Sequence, residues 1–145
     1  LSENKWVQVG QTIYGTRTNQ IIGAHSLRIN SMNGTRVFFS VSPSQCNLEN
    51  IYHRAYEFDK SSETWIQLGN DIESSFSGNN PLTVSEDGSR VAISSNSTDT
   101  ASSGEVKVFD LKSNPASSNK TWNQLGRHVF RHWVFYCYYT TGSGI

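Results

Sequence analysis

The chain has 145 residues, enough for one domain or part of a larger one, and its 12 basic and 12 acidic side chains cancel. That balance excludes an overall basic field for nucleic acid and an acidic tail as the dominant feature. Hydrophobic residues make up 35% and charged residues 17%, with 22 Ser, 11 Thr, 13 Asn and 11 Gly. This composition favours turns and short strands over long helices, because those side chains compete with the helix backbone for hydrogen bonds, and no apolar run reaches the ~18 residues of a membrane span.

Residues 1–19 open on Leu-Ser-Glu-Asn-Lys, without Met or an apolar signal segment, and so read as the start of a fragment or a processed chain. Within them, Trp6-Val7-Gln8-Val9-Gly10 predicts an orphan strand at 6–13, the outer strand of a preceding unit. The same phrase returns as Trp65-Ile66-Gln67-Leu68-Gly69 and as Trp122-Asn123-Gln124-Leu125-Gly126. Its form is W-x-Q-[VL]-G, and a further apolar position follows each time at Ile13, Ile72 and Val129. The chain has 4 Trp, and three of them fall in this one phrase, which marks an internal repeat.

Two units lie between these marks, at 20–74 and 75–126. Gly23-x-x-Ser26-Leu27-x-Ile29 answers Gly78-x-x-Pro81-Leu82-x-Val84, and Asn33-Gly34-Thr35-Arg36-Val37 answers Asp87-Gly88-Ser89-Arg90-Val91. Tyr52–Asp59 answers Glu105–Leu111. Each unit predicts four short strands. Asn33-Gly34 and Asp87-Gly88 mark hairpin turns, since glycine accepts a positive φ without a Cβ clash. Arg90–Ser94 is a β-branched run suited to a buried strand. In 105–110 the residues alternate, with Val106, Val108 and Asp110 on one side and Lys107 and Phe109 on the other. Trp122, Gln124 and Gly126 share one face of the last strand. Four antiparallel strands recurring about every 58 residues describe a propeller blade, whose two faces are buried by neighbouring blades. The predicted class is all-β: an incomplete β-propeller of about two four-stranded blades plus one orphan strand. At that period the chain is too short to close a ring.

These phrases resemble a set of β-propeller repeats written W-x-Q-[LV]-G-x-x-I-x-G, then S-L-S-x-D-G-x-R-V-A-I-G, then G-x-V-x-V-[YF], similar to integrin-α-like and WD40-like propellers. The likeness covers 6–126 and is best in the second unit, through Asp87–Ile93, Gly104–Phe109 and Trp122–Gly126. It implies structural repeat positions at Trp6, Gly10, Trp65, Gly69, Gly88, Arg90, Trp122 and Gly126. It also implies an extracellular or cell-surface setting, with the remaining blades in a longer chain or an assembly. The chain departs from the integrin-type calcium loop, which needs closely spaced acids. Ser31-Met32-Asn33-Gly34 and Ser85-Glu86-Asp87-Gly88 offer one or two oxygens where calcium takes six to eight. Glu86 and Asp87 therefore read as turn formers. The family's later glycine is kept at Gly15 and replaced by Ser74 and Arg131.

No nucleophile elbow, zincin helix motif or phosphate-binding loop is present, and no catalytic, metal or cofactor set is predicted. His25 reads as a turn residue before an inner strand, and His53 as a partly exposed strand residue. His128 and His132 have a helical metal-pair spacing but sit among strand formers with no third ligand. Arg36 and Arg90 recur after the two turns, which argues for a structural role such as bonding to the next blade. Cys46 and Cys137 are far apart and read either as one disulfide or as two free thiols. The sequons at Asn33, Asn96 and Asn119 match a chance count for this composition.

The pattern fails in 127–145, an aromatic and basic tail with six aromatics in residues 130–139. It reads either as a surface-binding segment or as sequence foreign to the repeat, and 133–139 is an aggregation hazard if exposed. The expected function is a non-catalytic propeller fragment serving as a protein- or glycan-binding or scaffolding module. The alternatives are a structural part of a larger secreted or surface enzyme, or a truncated product without independent activity.

Overall fold

A computed structural model describes residues 4–43, 51–73, 81–95, 105–115 and 119–126. They form nine strands: β1 (Ile21–Ile29), β2 (Arg36–Ser42), β3 (Tyr52–Asp59), β4 (Thr64–Gln67), β5 (Ile72–Glu73), β6 (Leu82–Val84), β7 (Arg90–Ser95), β8 (Glu105–Ser113) and β9 (Lys120–Gln124). The fold is all-β, and the described residues contain no helix. Strands β1 to β4 make one antiparallel sheet in chain order, with β5 added beside β4 on β3, and β6 to β9 make a second. The two stacked sheets form an incomplete, unclosed propeller-like arrangement.

The registers match position by position. Leu27 pairs with Phe39 as Leu82 pairs with Ile93, and Ile29 with Val37 as Val84 with Val91. Arg36 pairs with Glu57 as Arg90 pairs with Asp110. Tyr56 meets Gln67 as Phe109 meets Gln124. Glycines stand at both predicted turns, Gly34 at φ +65° and Gly88 at φ +69°, a region that costs an L side chain energy. The second turn is closed by bonds from Gly88 N to Ser85 O (2.9 Å) and from Ser85 N to Arg90 O (2.9 Å).

The core lies between the sheets. Phe38, Ala55, Leu68 and Ile72 from the first meet Leu82, Val91, Ile93, Phe109 and Trp122 from the second. Phe38 and Trp122 touch edge to face at 5.7 Å, a geometry the ring quadrupoles favour. Each sheet thus hides an apolar face that it could not bury alone.

Three expectations change. Residues 6–13, expected as an orphan strand, join no strand ladder. β4 and β9 become strands by pairing with β3 and β8, and none of the described strands pairs with 6–13. His25 lies inside β1 rather than in a turn. The register of β1 shifts between Ile22 and Leu27, and the N–H groups of His25 and Ser26 there both donate to Ser40 Oγ at 3.1 Å. His53 is 1% exposed, not partly exposed, because β5 pairs across it at Ile72 and covers it. The positions Cys46, Asn96, Cys137, His128, His132 and the tail 127–145 lie outside the described residues.

Candidate functional site

The most elaborate constellation is the junction between units, built on the W-x-Q-[VL]-G phrase. In all three copies the Gln side chain donates to the carbonyl of the glycine two residues on: Gln8 to Gly10 at 3.0 Å, Gln67 to Gly69 at 3.2 Å and Gln124 to Gly126 at 3.3 Å. Each glycine has a positive φ, at +69°, +75° and +69°. The phrase is a local motif: the amide locks a left-handed turn that only glycine adopts cheaply.

That turn receives the tryptophan of the next phrase. Trp122 Nε1 donates to Leu68 O at 2.8 Å, and Trp65 Nε1 donates to Val9 O at 2.9 Å. The indoles lie so close to Gly69 and Gly10 that a Cβ at either would stand 2.8 Å from the Trp Cδ1. The residue after each glycine completes the clamp. Asn70 Oδ1 accepts from Trp122 N at 2.7 Å, and Gln11 Oε1 accepts from Trp65 N at 2.8 Å. Gln11 also donates to Trp65 O at 2.9 Å. The third phrase has Arg127 at this position, and a guanidinium has no acceptor.

The tryptophans differ in cover. Trp122 is buried and Trp65 half-buried, but Trp6 is fully exposed. Gly126 has open space around it among the described residues.

Charged groups brace the same seam. Arg36 bonds to Glu57 Oε1 through Nη2 (2.6 Å) and Nε (2.9 Å), and Nη1 reaches Asp87 O in the next unit at 3.1 Å. Lys120, from β9, reaches Glu57 Oε2 at 3.1 Å. Burial raises the Glu57 carboxyl, but the hydrogen bonds and charges of Arg36 and Lys120 outweigh it and hold the group below the ordinary carboxylate range. Met32 N and Asn30 Nδ2 bond to Glu86 O at 3.1 and 3.3 Å, so the acidic turn docks through its backbone. Asp87 faces inward on its own turn. Ser85 Oγ and Ser89 N donate to it at 2.7 and 3.1 Å, and those bonds depress its carboxyl. Arg90 bonds to the register equivalent of Glu57 in its own unit, Asp110, with Nε to Oδ1 at 2.6 Å, and Lys112 joins at 3.4 Å.

Two grooves run along the seam. One, of about 470 Å³, is lined by Glu57, Gln67, Asn70, Asn119, Lys120 and neighbours. The other, of about 380 Å³, is lined by Asn70, Asp71, Glu73, Lys107 and Gln124 beside Trp122. Asp71 is held there by both ends of Arg54, at 2.7 Å each. This bidentate fork raises the guanidinium pKa further. Among the described residues no group of three or more His, Cys, Asp or Glu is placed to hold a metal.

The expected positions therefore assemble unevenly. Gly10 meets Trp65, and Gly69 meets Trp122. Gly88 sits against Arg36, so close that a Cβ there would lie 2.8 Å from the Arg36 Cδ. Arg90, Trp6 and Gly126 are the outlying members. The phrase itself contained a signal for the capping glutamines, and an amide after glycine in two of three copies signalled the clamp. Glu57 and Lys120 carried none, because they meet only across the seam. Compared with known protein families, characterised proteins and solved structures, the chain matches none.

Proposed function

We propose that the chain is a non-catalytic segment of a β-propeller, a scaffolding module that carries a protein or glycan ligand on the seam between its blades. The observation that supports this reading most is the twofold recurrence of one junction, indole on glycine with an amide clamp, at Gly10–Trp65 and Gly69–Trp122. A motif that joins each unit to the next serves to extend an array. The grooves along the seam present amides and charges in a shallow setting, which suits hydroxyl-rich or polar ligands.

Two measurements test the reading. Substituting Gly69→Val should uncouple the sheets, seen as denaturation curves by Trp fluorescence and circular dichroism that no longer coincide. Side-chain amide resonances of Asn70 and Asn119 should shift on titration with oligosaccharides or polar peptides. Coincident curves in the variant would remove the scaffold role, and unmoved amides across such a panel would remove the ligand from the seam.

A further inference from the structure

Among the described residues, the stack presents two outer faces made from the same parts as its middle. At the central seam the first unit supplies Phe38, Ala55, Leu68 and Gly69, and the second supplies Leu82 and Trp122. By register, the equivalents of the first set at the far end are Ala92, Val108, Leu125 and Gly126. Leu68 is 4% exposed but Leu125 38%, and Gly126 keeps the φ of +69° with none of the described residues against it. Leu125 N bonds to Val108 O at 2.7 Å just as Leu68 N bonds to Ala55 O at 2.8 Å, so the Leu125 carbonyl is aimed as the Leu68 carbonyl is. At the near end, Leu27 is 58% exposed where its equivalent Leu82 is 3%, and Ile29 is 60% exposed. Trp65, the equivalent of Trp122, is covered by Val9 and Gly10.

We infer that the Leu125–Gly126 end of one chain docks on the Trp65 edge of a second copy, in competition with that copy's own Val9–Gly10. The inference rests on the scaffold reading above and names its partner. The two faces are complementary parts of one junction present on the same chain, so their union is head-to-tail. Charge does not select the contact. Centrally, Glu57 of the first unit meets Lys120 of the second; its register equivalent at the far end is Asp110, which Arg90 and Lys112 of its own unit already neutralise, and Glu63 stands two residues before Trp65 where Lys120 stands before Trp122. The 4–13 segment is tethered, so its high effective concentration keeps Trp65 covered and the isolated chain monomeric.

Releasing the tethered segment should expose the edge. In Gly10→Val the new side chain meets Trp65 Cδ1 and Phe58 at 2.8 and 3.1 Å from Cβ alone, on a backbone at φ +69°. Gln11→Ala removes both amide bonds to Trp65 by a gentler route. Sedimentation velocity over a concentration series is expected to show a monomer for the parent chain. Gly10→Val should associate to at least twice the mass, and Gln11→Ala should do so more weakly. Adding Gly126→Val to either should return the monomer. Both release variants staying monomeric while folded, as judged by circular dichroism, would overturn the inference, as would association that survives Gly126→Val. If Gly69→Val uncouples the sheets but the release variants do not associate, the docking fails while the scaffold reading stands. If Gly69→Val leaves the sheets coupled, the scaffold reading itself fails.

Discussion

Gly69, Gly23 and Gly126 share nearly one backbone conformation, with φ of +75°, +74° and +69°, but not one environment. A Cβ at Gly69 would strike Trp122, while at Gly23 or Gly126 it would meet none of the described residues. Alanine at Gly23 or Gly126 should therefore cost only the conformational penalty, on the order of 1 kcal/mol. Gly69→Ala should cost that plus displacement of the indole, about 2–4 kcal/mol in all. Urea unfolding of the three variants separates the two contributions, and equal losses would contradict the close approach. Trp122→Phe keeps most of the apolar contact but leaves Leu68 O without its 2.8 Å donor; a loss of about 1–3 kcal/mol is expected. Glu57 sets a pH dependence. Its folded-state pKa is lowered, so its stabilisation is fully present above the unfolded value of about 4.3 and is lost as pH falls through the folded value. With the group 34% exposed, the amount is about 1 kcal/mol or less. Glu57→Gln should flatten the decline in stability between neutral and acidic pH, measured by urea titration at each pH.

At the scale of the element, β1 shows how a strand absorbs an irregularity. Between Ile22 and Leu27 the ladder to β2 is interrupted, and backbone N–H groups there need another acceptor. Ser40 Oγ accepts two of them. Ser40 is 1% exposed, so Ser40→Ala would strand both N–H groups out of reach of water. The expected loss is about 1–3 kcal/mol, with faster amide hydrogen exchange at His25 and Ser26 than at Val37 or Phe38. Unchanged exchange would show that the hydroxyl is incidental. The equivalent β6 is described over Leu82–Val84. β3 and β8 place cations inward at Arg54 and Lys107, each 7% exposed. Both are neutralised by near neighbours, Arg54 by Asp71 and Lys107 by Glu105 at 2.9 Å. Buried pairs of this kind add little net stability but are costly to break.

The two described sheets hold together at the seam between them. Hydrophobic cover for both sheets comes from the shared core of Phe38, Leu68, Leu82 and Trp122, so the described units should unfold in one transition. Phe38→Ala removes a fully buried ring that touches Trp122. A loss of about 3–5 kcal/mol is expected, enough to split the transition if either unit retains structure alone. Differential scanning calorimetry would read this directly: a calorimetric enthalpy exceeding the van't Hoff value in the variant but not in the parent chain. Equal values in both would place the cooperativity elsewhere than the seam.

Much of this architecture is written in the order of residues. Period-two alternation, glycine turns and the W-x-Q-[VL]-G phrase determined strand positions, hairpins and the pairing of equivalent residues, because each depends on neighbours a few positions away. Local pattern could not say which face each strand buries. Leu27 and Leu82 hold equivalent positions, yet one is 58% and the other 3% exposed, because only Leu82 has a unit stacked on it. His53 is buried against expectation for a related reason: its cover is β5, a strand of two residues. The Glu57–Lys120 bridge and the contact of Trp122 with Gly69 join residues more than fifty positions apart. Only the stacking of one sheet on another brings such groups within bonding distance, and that stacking is a property of the folded surface rather than of any stretch of chain.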